Sequence, residues 1–232
     1  MLMKKPQIFT LHFAGGNCYS YQFMKPALLD FDVVSVELPG RGRRMAEPLI
    51  RGFEAAAKDM FQQIVSQLTG SSFILYGHSM GAILGLKVAR MLEDYEKKPS
   101  ALIFTGHAGP KLVKYKNTAF LETQELKQVL LDLGGLPDSV IHNSELFSFF
   151  EPVIRADFEV AERADSYEFE PVDIPLHVVM GTEEDFSDKI GLWEKYTTSS
   201  FSKGLLSGDH FFIHNHICEI AAIAKSMLSK EG

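Results

Sequence analysis

The sequence predicts an α/β protein built on a mostly parallel sheet, and three observations carry that prediction. Short runs rich in Val, Ile, Leu and Phe recur along the chain. They are continuous apolar runs rather than alternating ones, the pattern of strands buried on both faces. Between them lie stretches in which apolar residues return every three or four positions, as on one face of a helix. The composition agrees: 232 residues at 46% hydrophobic and 23% charged supply enough apolar side chains for a substantial core.

Taken in order, residues 7–13, 31–37, 73–76, 101–105 and 176–180 read as strands, with a weaker one at 201–206. Residues 53–68, 81–92 and 217–228 read as the helices between and after them. Residues 111–171 break the rhythm, with no strand signal and at least two helical patterns, 123–133 and 145–164. The expected organisation is therefore one core from residues 1–110 and 172–232, with a helical insertion at 111–171. Ligands of an open parallel sheet bind at the carboxyl ends of its strands. An insertion leaving the end of the 101–105 strand would roof that edge as a mobile lid.

Several function classes are disfavoured by composition. No run approaches the length of a membrane span, and residues 1–16 make a poor secretory leader, with two lysines and a proline around a short apolar stretch. Cys18 and Cys218 offer neither a disulfide framework nor a CxxC metal spacing. A reducing cytoplasm and no metal or organic cofactor are the expectation. With a formal charge of −7 and one small basic cluster, Arg41, Arg43 and Arg44, the chain lacks a nucleic-acid footprint.

The chemistry concentrates in FILYGHSMGAILGL, residues 73–86, where a strand runs through Gly77-His78-Ser79-Met80-Gly81 into a helix. This is a G-x-S-x-G nucleophile elbow in the required context. Its turn forces the serine into strained backbone, so glycines are needed on both sides where a Cβ would collide with the neighbouring strand or helix. Ser79 Oγ is then exposed at a helix N-terminus, where free amides and the dipole favour negative charge. The Met80 amide is one expected oxyanion donor. Ala14, in the His12-Phe13-Ala14-Gly15-Gly16 turn after the first strand, supplies the second. Gly85 would let the helix pack closely on the sheet.

The chain order of this architecture is serine, acid, histidine. Of the eight histidines only His210, His214 and His216 fall late enough, and His210, in Gly208-Asp209-His210, directly follows the last strand. His214 and His216 read as capping or surface residues. The acid should follow the penultimate strand, where Thr182-Glu183-Glu184-Asp185 offers several carboxylates, and Asp188 or an acid elsewhere remains open. In the insertion, Phe147, Phe149, Phe150 and Phe158 either line a substrate pocket or pack the insertion's own core.

The residues resemble the type II thioesterases that accompany nonribosomal peptide and polyketide synthetases, and the related medium-chain fatty-acyl thioesterases, which belong to the α/β-hydrolase superfamily. The likeness spans nearly the whole chain: HFAGGN from residue 12, VELPGRGRR at 36–44, GHSMGA from 77, LGGLP at 133–137, FFEPVIRADFEVAE at 149–162 and GDHFFI at 208–213. The resemblance implies hydrolysis of acyl groups from the phosphopantetheine thiol of carrier proteins, with Ser79, His210 and the Ala14 and Met80 amides as machinery. It also implies that the carrier docks near the lid. The family's acid is usually an aspartate three residues after the glycine ending the penultimate strand. Counting from Gly181 places Glu184 there, while Asp185 has the expected side chain one position later. The arginines at 41–44 read as a solvated turn or as a contact for an acidic carrier. Two rivals share the sequence features: a carboxylesterase or lipase on the same fold, and a binding module that has lost its chemistry.

Overall fold

In the computed structural model, residues 4–70, 72–112 and 117–229 are described. Residues 113–116 of the expected insertion, and 1–3, 71 and 230–232 of the expected core, lie outside them. Six parallel strands form one sheet: β1 (Gln7–Leu11), β2 (Asp32–Val36), β3 (Phe73–His78), β4 (Ala101–Thr105), β5 (Leu176–Gly181) and β6 (Phe201–Leu206), in the order β2-β1-β3-β4-β5-β6. Helices α1 (Phe53–Gln67), α2 (Met80–Asp94), α3 (Thr123–Leu133), α4 (Asp138–Ile141), α5 (Ser144–Arg163) and α6 (Ile217–Ser229) complete it, with several 3₁₀ turns. Among the described residues no helix is long and apolar enough to cross a membrane.

Continuous apolar strands follow from burial on both faces. Phe9, Leu75, Phe104 and Val178 point to the side covered by α1 and α2. Ile8, Ile74, Ile103 and Val179 point to the other, against α6 and the turn carrying Tyr21 and Met24. Five strand ends differ from the sequence reading, by one residue in β2 and β5 and by two in β1 and β3. β1 stops at Leu11 rather than residue 13, because the Gly16 amide donates back to the Phe13 carbonyl at 2.9 Å and turns the chain. β3 runs on to His78, since Gly77 and His78 still pair with Phe104 and Thr105.

Within residues 111–171, α3 begins with a Glu122/Glu125 capping box and ends on left-handed Gly134, while α5 begins with the Asn143 side chain accepting from the amides of Glu145 and Leu146. Leu126, Val129, Leu130, Ile141, Phe147 and Ile154 form a separate apolar cluster. The second half of α5 is different: Val160, and Ala164 just beyond the helix, are buried in the main core.

Candidate active site

The elbow is built as its residue types dictate. Ser79 stands between β3 and α2 at φ 55°, ψ −118°, and its amide donates to the Thr105 carbonyl at 2.8 Å. A Cβ on Gly81 would lie 2.1 Å from the Leu11 carbonyl oxygen, and one on Gly77 would lie 2.2 Å from the Gly81 oxygen. Neither position tolerates a side chain. One turn later, a Cβ on Gly85 would stand 2.6 Å from the Phe104 ring, so α2 rides directly on β4. Met80 is the first residue of α2, where no helical carbonyl exists for its amide to meet.

At the far side of the cleft, the loops after β5 and β6 are locked together. A Cβ on Gly181 would fall 2.5 Å from the carbonyl oxygens of both Gly208 and Asp209, so the glycine is what allows the two loops to touch. Glu184 spans them. Its Oε1 accepts from the Gly181 amide at 2.7 Å, and its Oε2 lies 2.6 Å from Nδ1 of His210. The Glu184 side chain is 6% exposed and that of His210 16%.

Ser79, Met80, His210, Glu184 and Asp185 all line one cleft of about 200 Å³. Ala14 does not line it; it sits half-buried in the turn after β1, whose last carbonyl abuts the elbow at Gly81. Of the carboxylates left open by the sequence, Glu184 meets the His210 ring, Asp185 lies on the cleft wall, and the exposed Asp188 pairs with Lys189. The wall is otherwise apolar at Leu112, Leu133, Phe158, Ala161 and Met180, with carboxylates at Asp132, Glu162, Glu183 and Asp209. Of the phenylalanines at 147, 149, 150 and 158, Phe158 lines the cleft, Phe147 and Phe150 pack in the insertion's own cluster, and Phe149 is exposed.

The other histidines do not meet Glu184, although His107 also lines the cleft. His78 is buried under His210, with ring centroids 4.9 Å apart, and burial together with the His210 charge keeps it well below the ordinary histidine value. His107 accepts from the Gly109 amide at 3.1 Å and is pushed down to about 4, chiefly by burial. His216 contacts Glu219 and the Ser207 carbonyl at the start of α6.

The arginines correct the sequence reading. Arg41 is neither solvated nor available to a carrier: it is buried and makes a two-pronged ion pair with the fully buried Asp157 of α5. Arg44 bridges Glu47 and Asp59, and only Arg43 is exposed, its guanidinium 5.6 Å from the Tyr19 ring centroid. Asp157 was missed as a site residue, yet it left a trace. It shares the helical stripe of Ile154, Phe158 and Ala161, so an acid stands on an apolar face. A buried acid of that kind needs a partner.

The thioesterase domain family matches residues 6–227. Linear gramicidin dehydrogenase LgrE of Brevibacillus parabrevis is 30% identical over 95% of this chain and 87% of its own length. The solved RedJ thioesterase of the prodiginine pathway in Streptomyces coelicolor is 30% identical, with a TM-score of 0.86 over 97% of this chain and 85% of that one. The type II thioesterase BorB of the borrelidin cluster is 27% identical, with a TM-score of 0.88 over 98% and 94% of the two chains. LgrE carries the name of a different reaction, so the assignment rests on the family match and the solved thioesterases. The chain belongs to the thioesterase family, as a thioester hydrolase of the type II class.

Proposed function

We propose that this thioesterase frees acyl groups from the phosphopantetheine thiol of carrier proteins serving a peptide or polyketide synthetase, through an acyl-enzyme formed on Ser79. The observation that carries the mechanism is the 2.6 Å contact between His210 Nδ1 and Glu184 Oε2. A carboxylate there accepts the Nδ1 proton and leaves the Nε2 lone pair to serve as base. Ser79 Oγ attacks the thioester carbonyl as His210 takes its proton, and the oxyanion is held by the Ala14 and Met80 amides. Collapse breaks the carbon–sulfur bond, and His210 returns the proton to the departing thiol. Water repeats the sequence on the acyl-serine, releasing a carboxylic acid.

The carrier as partner is supported by what the relatives are named for: RedJ belongs to a biosynthetic pathway, and GrsT of Aneurinibacillus migulanus, 28% identical, is a gramicidin S biosynthesis protein. The division into a core of residues 1–110 and 172–232 and a helical insertion at 111–171 is part of the same proposal, its lid portion supported by the separate apolar cluster of α3, α4 and the start of α5. The test is turnover of acyl-carrier by the wild type and by Ser79→Ala. The alanine variant should lose on the order of 10⁴ to 10⁶ in turnover while remaining folded. More than about a tenth of wild-type activity would remove Ser79 from this role, and acyl-carrier hydrolysis no faster than that of a free acyl ester would remove the carrier from it.

A further inference from the structure

The turn that carries the second oxyanion donor is held by three buried side chains far apart in sequence. The Phe13 carbonyl and the Ala14 N–H belong to one planar peptide, so whatever fixes the carbonyl also fixes the direction in which the amide points. Two donors fix it: His12 Nδ1 at 2.8 Å and the Gly16 amide at 2.9 Å. The imidazole can donate there because its other nitrogen, Nε2, receives the Leu38 amide at 3.2 Å, which requires a neutral ring with its hydrogen on Nδ1. The next peptide is clamped from the opposite side. The Gly15 amide donates to Asp157 Oδ2 at 2.8 Å. Arg41, which grips the same carboxylate with Nη2 to Oδ1 at 2.8 Å, donates from Nη1 to the Gly16 carbonyl at 3.3 Å. Gly15 stands at φ 76°, and a Cβ there would come within 3.3 Å of Ile154, so α5 lies directly against the turn.

A buried ion pair is a poor way to gain stability, since apolar residues of similar size often do as well. This one is not arranged for stability: Arg41 Nε is buried with no hydrogen-bond partner among the described residues. Each partner also spends one atom on the turn's backbone: Arg41 Nη1 donates to the Gly16 carbonyl and Asp157 Oδ2 accepts from the Gly15 amide. Three sequence-distant segments therefore meet at one turn: the end of β1, the loop after β2, and α5.

We propose that His12, Arg41 and Asp157 are positioning residues that aim the Ala14 amide at the oxyanion, so that α5 is a fixed part of the catalytic apparatus rather than a moving part of the lid. This inference rests on the acyl-serine reading above. The three touch neither substrate nor Ser79; they act through the peptide they hold.

The test replaces the pair by apolar residues of similar bulk, Arg41→Met with Asp157→Leu, and separately makes Asp157→Asn, which keeps an acceptor for Gly15 but not the charge. Each variant is assayed with a short soluble thioester well below its unfolding temperature, beside the wild type and Ser79→Ala. A trifluoromethyl ketone, whose adduct bears an oxyanion, is titrated in parallel. The expected result is a kcat lower by roughly 10- to 100-fold for the double variant, short of the 10²–10³ lost with a whole donor. KM should be nearly unchanged, and affinity for the ketone should fall in step with kcat/KM. Asp157→Asn should show a smaller loss of the same kind. If the double variant does not fold, Asp157→Asn decides alone. Variants with kcat within about threefold of wild type, or a loss confined to KM, overturn the inference while Ser79-dependent hydrolysis stands. Hydrolysis that survives Ser79→Ala overturns the underlying reading as well.

Discussion

Glu184 does two jobs with its two oxygens, one anchoring the end of β5 through Gly181 and one facing His210. Glu184→Gln should therefore cut turnover by about 10⁴, the loss seen when an amide imposes the wrong histidine tautomer in another hydrolase. Asp185→Asn should cost less than about tenfold; steady-state kinetics on a soluble thioester distinguishes them, and the reverse order would move the acid to Asp185. Histidine burial makes a second prediction at this scale. His12 and His107 are both pushed down to about 4 from an ordinary value of 6.5, chiefly by burial and, for His12, also by the Arg41 charge. As pH falls through 6.5 the unfolded chain gains protons that the folded chain refuses until about 4. Their contribution is complete above pH 6.5 and is lost between there and 4. At pH 5 each should cost about 2 kcal/mol relative to pH 7.5. Urea midpoints at the two pH values measure this, and a midpoint that holds or rises at pH 5 would contradict it.

At the scale of elements, the LGGLP segment explains itself through what it touches. Gly134 takes the left-handed conformation that ends α3, and a Cβ on Gly135 would lie 2.5 Å from the ring of Phe211, next to His210. Phe211 in turn packs edge-on against Phe13 with centroids 5.0 Å apart, linking the histidine loop to the turn after β1. Gly135→Ala should displace that ring and lower kcat several-fold while changing the unfolding temperature little; wild-type kcat would show that Phe211 yields freely. The insertion divides into unlike parts. Altering α3 and α4, by crosslinking or shortening, should slow acyl-carrier turnover more than turnover of a short soluble thioester, because a roof shapes access rather than chemistry. Equal losses on both substrates would make these helices ordinary scaffold. Removing the second half of α5 should instead unfold the protein, since Val160 belongs to the main core. Val160→Ala alone should cost about 1–3 kcal/mol in denaturant unfolding.

For the whole molecule, charge sets the expectation. The chain carries a formal −7, and of the arginines near the turn after β2, Arg41 and Arg44 are already paired with acids of their own. Its long-range field does not attract an acidic carrier, and added salt screens repulsion as much as attraction. Raising ionic strength from low to physiological should change kcat/KM on an acidic carrier by less than about threefold. A steep fall with salt would reveal a local basic contact that outweighs the net charge.

The sequence by itself determined what depends on neighbours in the chain. Continuous apolar runs marked the strands, with β4 at its observed bounds, because a strand buried on both faces needs no partner to display its pattern; the partly exposed β6 gave only a weak run. The elbow was legible because its glycines are required by contacts made within and beside one strand-turn-helix unit. Left open was everything decided by side chains meeting across the fold. Glu184 and Asp185 differ by one position and one methylene, and only the loop geometry set by Gly181, Gly208 and Asp209 brings Glu184 to His210. Arg41 looked like a surface charge because its partner, Asp157, lies 116 residues away on a helix that reads as part of the insertion. Hydrophobic periodicity says which face of a helix is buried, but not against what, and the energy of a buried charge depends entirely on that answer.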